Sequence, residues 1–140
     1  MVAPNWSVLV PAKAVNAPKK ELWLKVCDFV RGPRRLLVEA SDEWKYDPNS
    51  SCGPGGDPSE GFDDRNLHKS ALRGCLVAKI GGSAGDTPGS DKLFAVGSYC
   101  IFEIPENVGG SLFVTMNDDP KRFHLHEGSL TIKVSEAPLA

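Results

Sequence analysis

Residues 117–128 read Asn-Asp-Asp-Pro-Lys-Arg-Phe-His-Leu-His-Glu-Gly and gather two adjacent carboxylates, two cations, two imidazoles one residue apart and a third carboxylate. Two chemistries compete for Asp118. His124 and His126, alternating on an extended segment, share one side, and together with Asp118 they have the donor types of a zinc site. Alternatively, the guanidinium of Arg122 lies close in sequence to Asp118 and Asp119 and holds them as a fixed cation, so that a salt bridge takes the place of an ion. A second acidic set, Asp57, Glu60, Asp63 and Asp64, falls in a stretch with no basic residue before Arg65. With Asp118 and Asp119 these carboxylates suffice for an acid/base pair of the glycosidase type. No Ser-His-Asp order, phosphate-cradling glycine loop or metal-water motif accompanies them, so no catalytic residue is assigned and the chain is read as a non-enzyme.

Paired strands must hold these loops. Residues 111–116 and 130–134 alternate apolar and polar side chains at period 2, as strands with one buried face do, and they flank the Asn-Asp-Asp-Pro turn. A loop fixed at both ends has little entropy left to lose on binding. Upstream, residues 6–10 form a short strand ended by Pro11, and 12–20 a loop or edge segment. Residues 21–26 and 35–40 form a hairpin-like pair through the turn at Arg31-Gly32-Pro33, with Trp23 and Phe29 in the core. Glycine, proline, Asp and Ser accumulate over 41–70 without periodicity, predicting one long loop that is either functional or a solvated acidic surface. Residues 75–80 are almost continuously apolar, as in a strand buried on both sides. Strands at 93–96 and 99–104 and a turn at 105–110 complete about eight strands with no helix, the pattern of an all-β sandwich.

At 140 residues the chain is one domain over 1–140, large enough to bury about two-thirds of its unfolded surface. Sixteen basic against eighteen acidic residues leave a net charge of -2, and Lys19-Lys20 and Arg34-Arg35 are too short to form patches. Nucleic acid and anionic membranes are therefore not expected partners. No charged segment precedes a long apolar run, so the chain reads as soluble, cytoplasmic or released without a signal peptide. Asn5-Trp6-Ser7 and Asn49-Ser50-Ser51 match the glycosylation pattern, which matters only on secretion. Cys27, Cys52, Cys75 and Cys100 are spaced too widely for ligand pairs and are read as free thiols, with a Cys27–Cys52 bridge as the alternative.

Four segments in order carry a family resemblance: Tyr46-Asp47-Pro48, Cys52-Gly53-Pro54-Gly55-Gly56-Asp57, Gly74-Cys75-Leu76-Val77-Ala78-Lys79-Ile80-Gly81, and the stretch from Asn117 to Gly128-Ser129. Together they resemble the calcium-dependent galactose-binding lectins of pseudomonads over roughly residues 35 to 134. The resemblance implies a galactose-binding-domain-like, jelly-roll β-sandwich. It also implies a calcium ion held by the main-chain carbonyls of Tyr46 and Arg122, the carboxylate of Asp118, and two side chains at the positions of Leu125 and His126. Calcium suits such a task because it accepts 6–8 oxygens in loose geometry. Leu125 offers no donor where the family has an amide, and His126 offers nitrogen, a poor ligand for a hard cation.

The sugar-contact positions implied by the resemblance fall on Tyr46, Asp118 and His126, and near Glu60, Asp63 and Asp64. Carboxylates accept hydrogen bonds from sugar hydroxyls, so the site is expected to be retuned from galactose to another glycan. The expected function is carbohydrate binding, possible with calcium, by a homo-oligomer whose repeated weak sites give avidity. The alternative is a non-catalytic accessory module that keeps the fold and has lost both sugar and ion.

Overall fold

The computed structural model describes residues 5–138. Ten strands form two sheets. They are β1 (Ser7–Asn16), β2 (Leu24–Arg31), β3 (Arg34–Ser41), β4 (Trp44–Asp47), β5 (Ser50–Cys52), β6 (Leu76–Ile80), β7 (Phe94–Ala95), β8 (Tyr99–Ile104), β9 (Gly109–Met116) and β10 (Glu127–Pro138). The larger sheet runs β5-β4-β10-β3-β8, with β1 on the other side of β10; the smaller runs β2-β9-β6-β7. Short 3-10 turns at Ser90–Lys92 and Pro120–Leu125 are the helical elements among the described residues.

The backbone of the larger sheet is β10, which pairs with three strands. Ser41 faces Thr131 and Trp44 faces Gly128, so β4 continues β3 along one side of β10 in the same register. Asp42 interrupts the two strands at φ 77. On the other side, β1 slips register between Val8 and Val10 and again between Val10 and Lys13. That slip corrects the expected stop at Pro11. Proline cannot donate to a ladder, yet it is tolerated at a bulge on an edge strand, and β1 continues through it to Asn16.

The apolar core lies between the sheets, with Leu36, Val38, Leu130, Ile132 and Val134 facing Leu76, Leu112, Val114 and Met116. A second cluster covers the far face of the smaller sheet: Trp23, Val77 and Phe113 pack under Leu67, Ala71 and Phe123. Strands β6 and β9 are therefore buried on both faces, which accounts for the continuous apolar run at 75–80. Lys79 is buried in that outer cluster with its ammonium 4.9 Å from the Trp23 ring and 4.8 Å from Phe113. It donates to the Ser83 carbonyl at 2.6 Å and pairs with Asp86, so the buried charge is answered.

Three further expectations are corrected. Residues 41–70 are not one loop, because β4 and β5 occupy part of the stretch. The turn at Arg31-Gly32-Pro33 does not close a hairpin: β2 pairs with β9 in one sheet while β3 pairs with β10 and β8 in the other. Trp23 is fully buried, but Phe29 is 61% exposed. Two register shifts, between Lys25 and Cys27 and between Cys27 and Val30, leave Val26 and Val30 in the inter-sheet core and Phe29 on the side of Trp23, the far face of the smaller sheet, where the outer cluster covers Trp23 and leaves Phe29 open to solvent. All four cysteines are free thiols, and burial pushes the Cys52 thiol up to about 12 and that of Cys75 to about 11.

These placements predict opposite outcomes for two large apolar residues. Leu130→Ala, at a site with no exposure, lowers unfolding stability by about 2–5 kcal/mol in urea denaturation. Phe29→Ser changes it by no more than about 0.5 kcal/mol. Equal losses would mean that Phe29 is packed and that the outer cluster reaches it.

Candidate functional site

The site is built at the end of β9, where the strand emerges from the core and places two polar residues, Asn117 and Asp118, in full burial. Asn117 clamps the loop that covers the smaller sheet. Its Nδ2 donates to the carbonyls of His68 at 2.9 Å, Ala71 at 2.9 Å and Leu72 at 3.2 Å, and its Oδ1 accepts from the His68 N–H at 2.7 Å. Its backbone joins the same loop, accepting from the Gly74 N–H at 2.7 Å and donating to the Cys75 carbonyl at 2.8 Å. Gly74 is required here: φ is +88, and a Cβ would lie 2.3 Å from the Cys52 sulfur. Trp44 Nε1 donates to the Gly74 carbonyl at 2.7 Å, tying β4 to the same turn.

The clamp brings Arg73 to Asp118. Arg73 Nε donates to Oδ1 at 2.9 Å, the Asp119 N–H reaches the same oxygen at 2.8 Å, and His126 Nε2 lies 2.9 Å from Oδ2. His126 Nδ1 is 2.8 Å from the Pro18 carbonyl, which can only accept, so that nitrogen carries hydrogen. One further proton must then lie between Nε2 and Oδ2, whichever partner holds it formally. Arg122 Nε sits 3.3 Å from Oδ1 without hydrogen-bond alignment, while its terminal nitrogen reaches Asp47 Oδ2 at 3.4 Å. The expected salt-bridge substitute is therefore carried chiefly by Arg73, a residue 45 positions from Asp118, with Arg122 as a flanking charge.

From Arg73 the network opens outward to the acidic loop. Its terminal nitrogens bind Glu60 Oε1 at 2.5 Å and Asp63 Oδ2 at 3.3 Å. Asp63 also receives Arg65 in a two-point contact at 3.1 and 2.8 Å. The Arg65 side chain, then its backbone N–H, holds the Asp63 carboxyl down at about 2. Tyr46 donates its hydroxyl to Asp57 Oδ2 at 2.7 Å; burial and that bond push its pKa up to about 12. The loop is thereby fixed at Asp57, Glu60 and Asp63, and between the last two it exposes Phe62 at 70%.

The expected site residues thus divide in two. Tyr46, Asp118 and His126 lie inside the protein, while Glu60, Asp63 and Asp64 lie at or near the surface, joined to Asp118 through Arg73 in the case of the first two. Arg122 is half-buried beside Asp118. The zinc arrangement is corrected: residues 120–125 form a 3-10 turn instead of an extended segment, so His124 is exposed while His126 is buried with both nitrogens engaged. Among the described residues no group of three His, Cys, Asp or Glu side chains is placed to hold a metal. Calcium fits poorly as well, since the Leu125 side chain offers no oxygen and both oxygens of Asp118 are already taken by cationic or N–H partners. Arg73 and Phe62 were not among the expected site residues. The available signal was that Arg65 and Arg73 are the only arginines between Arg35 and Arg122.

No protein-family model matches the chain. Among solved structures it is similar to one described as the EclA N-terminal domain, a PllA-like lectin, with a TM-score of 0.64 and 16% identity over 92% of this chain and 97% of that one. At that identity the likeness establishes the fold alone, a two-sheet β-sandwich.

Two measurements check this construction. Asn117→Ala strips partners from several buried backbone groups at once and lowers stability by about 3 kcal/mol or more. Asn117→Asp, although nearly isosteric, does not rescue it, because a second oxygen then faces three carbonyls; restored stability would mean the clamp is not the amide. Asp63 tests the outer network by pH. Its folded pKa lies below the ordinary carboxylate value, so its contacts contribute fully above about pH 4 and are lost as the pH falls through about 2. Its carboxyl carbon, followed by NMR, should titrate near that lower value and move part of the way back toward the ordinary range in Arg65→Gln, which keeps the backbone N–H and the Arg73 contact.

Proposed function

We propose that the protein is a non-catalytic carbohydrate-binding module whose contact surface is the loop of residues 57–65, held from below by Arg73 and Asp118. What carries this reading is Phe62. An aromatic ring at 70% exposure on a surface loop gives an apolar face for the C–H side of a sugar ring, and Glu60 and Asp64 near it in sequence supply acceptors for hydroxyls, while Asp63, whose oxygens are filled by Arg65 and Arg73, holds the loop. Asp118, His126 and Tyr46 then act as positioning residues beneath the surface, in place of the direct contacts that the family resemblance implied.

In this reading the cations are internal. Arg73, Arg122 and the proton shared with His126 do what calcium would do at Asp118, which is to neutralise a buried carboxylate and fix two loops against each other. Calcium is accordingly dispensable, and the preferred glycan differs from the galactose of the resembled family. Repetition of a shallow site in a homo-oligomer supplies avidity.

A glycan array probed with and without calcium tests the reading. The expected result is binding in both conditions, lost in Phe62→Ser with stability unchanged. Absence of binding to any glycan would favour an accessory module that retained only the fold. The ion is checked separately: chelator leaves the melting temperature where it was, whereas an ion at about 100 times its dissociation constant would stabilise the fold by roughly 2.7 kcal/mol. A calcium-dependent rise that vanishes in Asp118→Ala would overturn the internal-cation reading.

A further inference from the structure

Away from the Phe62 loop, the end of β1 and the start of β2 enclose a cavity of about 480 Å³. Lys13, Lys19, Lys20 and Lys25 line it, against a single carboxylate, Glu21. Four of the ten lysines in a protein of net charge -2 therefore meet at one place, where the stretch 13–25 folds back on itself from the end of β1 to the start of β2. Lys25 is partly answered by Asp28 at 3.2 Å, but among the described residues no carboxylate lies within ion-pair distance of Lys13, Lys19 or Lys20.

The cavity is more than a charged rim. Val15, Ala17 and Val26, all buried, also line it and supply an apolar wall. The segment bearing Lys19 and Lys20 is held in place, since the Ala17 N–H donates to the Gly128 carbonyl at 2.9 Å and the Pro18 carbonyl accepts from His126. A second depression of about 600 Å³ shares Asn16, Ala17, Lys19 and Lys20 with the first and extends past Glu127, Gly128 and Ser129, so that a second carboxylate stands at its far end. The two join into one groove at Lys19 and Lys20, which have no ion-pair partner among the described residues.

We propose that this groove is a second ligand site that takes an acidic oligosaccharide, its carboxylate or sulfate groups held by Lys13, Lys19 and Lys20 and its ring faces lying on the Val15–Ala17–Val26 wall. The choice of a saccharide among anions rests on the carbohydrate-binding reading above; the cationic groove itself does not. Lysine suits the task because flexible point charges follow irregularly spaced sulfates and carboxylates without demanding one planar geometry.

The test is a titration of the full chain with a heparin-derived tetrasaccharide, by calorimetry at low and at physiological salt, together with backbone amide NMR. Binding is expected to weaken as salt rises. Amide shifts should concentrate at residues 13–26 and 127–129. The exposed-residue variant Lys13→Gln/Lys19→Gln/Lys20→Gln should lose about tenfold or more in affinity, and Lys92→Gln, on the short 3-10 turn outside the groove, none. No binding at low salt, shifts confined to residues 57–65, or equal affinity and equal shifts with inorganic tripolyphosphate would each overturn the proposal, the last by making the groove a general anion site. Phe62→Ser separates this proposal from the first. If neutral glycans bind through Phe62 but the acidic tetrasaccharide does not bind, only the groove fails; if the tetrasaccharide binds normally in a protein that ignores every neutral glycan, only the Phe62 reading fails.

Discussion

The fold on the far side of the smaller sheet depends on one amide. Residues 67–75 form no regular element, and a segment without a ladder of its own has backbone groups that must be satisfied from elsewhere. Asn117 satisfies four of them with its side chain and two more through its own backbone. Only because that loop is pinned can Leu67 and Ala71 close the outer cluster over Trp23 and Phe113, and only then does Arg73 point inward at Asp118. Hydrogen bonding thus precedes packing here, the reverse of the order in the inter-sheet core, where period-2 strands bury apolar faces and the ladders follow.

Asp118 shows how such a loop is kept from opening. A fully buried carboxylate costs several kcal/mol in desolvation unless its oxygens are met by charge and N–H groups. Both oxygens are met, and the partners come from three separated parts of the chain: Arg73, the Asp119 backbone and His126. Withdrawal of any one leaves charge uncompensated in a dry site, so the three segments hold together as a unit. A resident ion could do the same, but an ion exchanges with solvent, whereas covalently attached cations stay. The surface presented by residues 57–65 is therefore organised before any ligand arrives, which reduces the entropy lost on binding.

Much of the sandwich was legible because burial on one face imposes alternation and burial on both imposes a run. The β9 and β10 strands and the apolar β6 follow directly from those two rules. What local pattern does not carry is partner choice. The turn at Arg31-Gly32-Pro33 looks the same whether the next strand folds back beside β2 or crosses to the other sheet, and the difference is decided by β9 and β10, some eighty residues and more away. Nor does it carry how far a covering loop reaches: on the far face of the smaller sheet the outer cluster buries Trp23 and leaves Phe29 exposed. The site was half legible. Asp118 stood out by its turn, and Glu60 and Asp63 by their composition, but Arg73 sits in no motif, and its role exists only once Asn117 has folded its loop.

A continuous chain of polar contacts runs from the Pro18 carbonyl through His126, Asp118 and Arg73 to Glu60 and Asp63, joining the lysine groove to the Phe62 loop. Such a chain invites an allosteric interpretation, and the geometry argues against one. Coupling between sites needs an element with two arrangements that each ligand biases differently. Every member of this chain has its partners in place, and the step at Asp118 is buried and charge-paired, so a second arrangement would first have to break those contacts in a region that water does not reach. The network fixes both surfaces in one relative position. If the two proposed surfaces engage one glycan, the gain comes through effective concentration alone, set by the spacing between them, with no conformational signal passing through the protein.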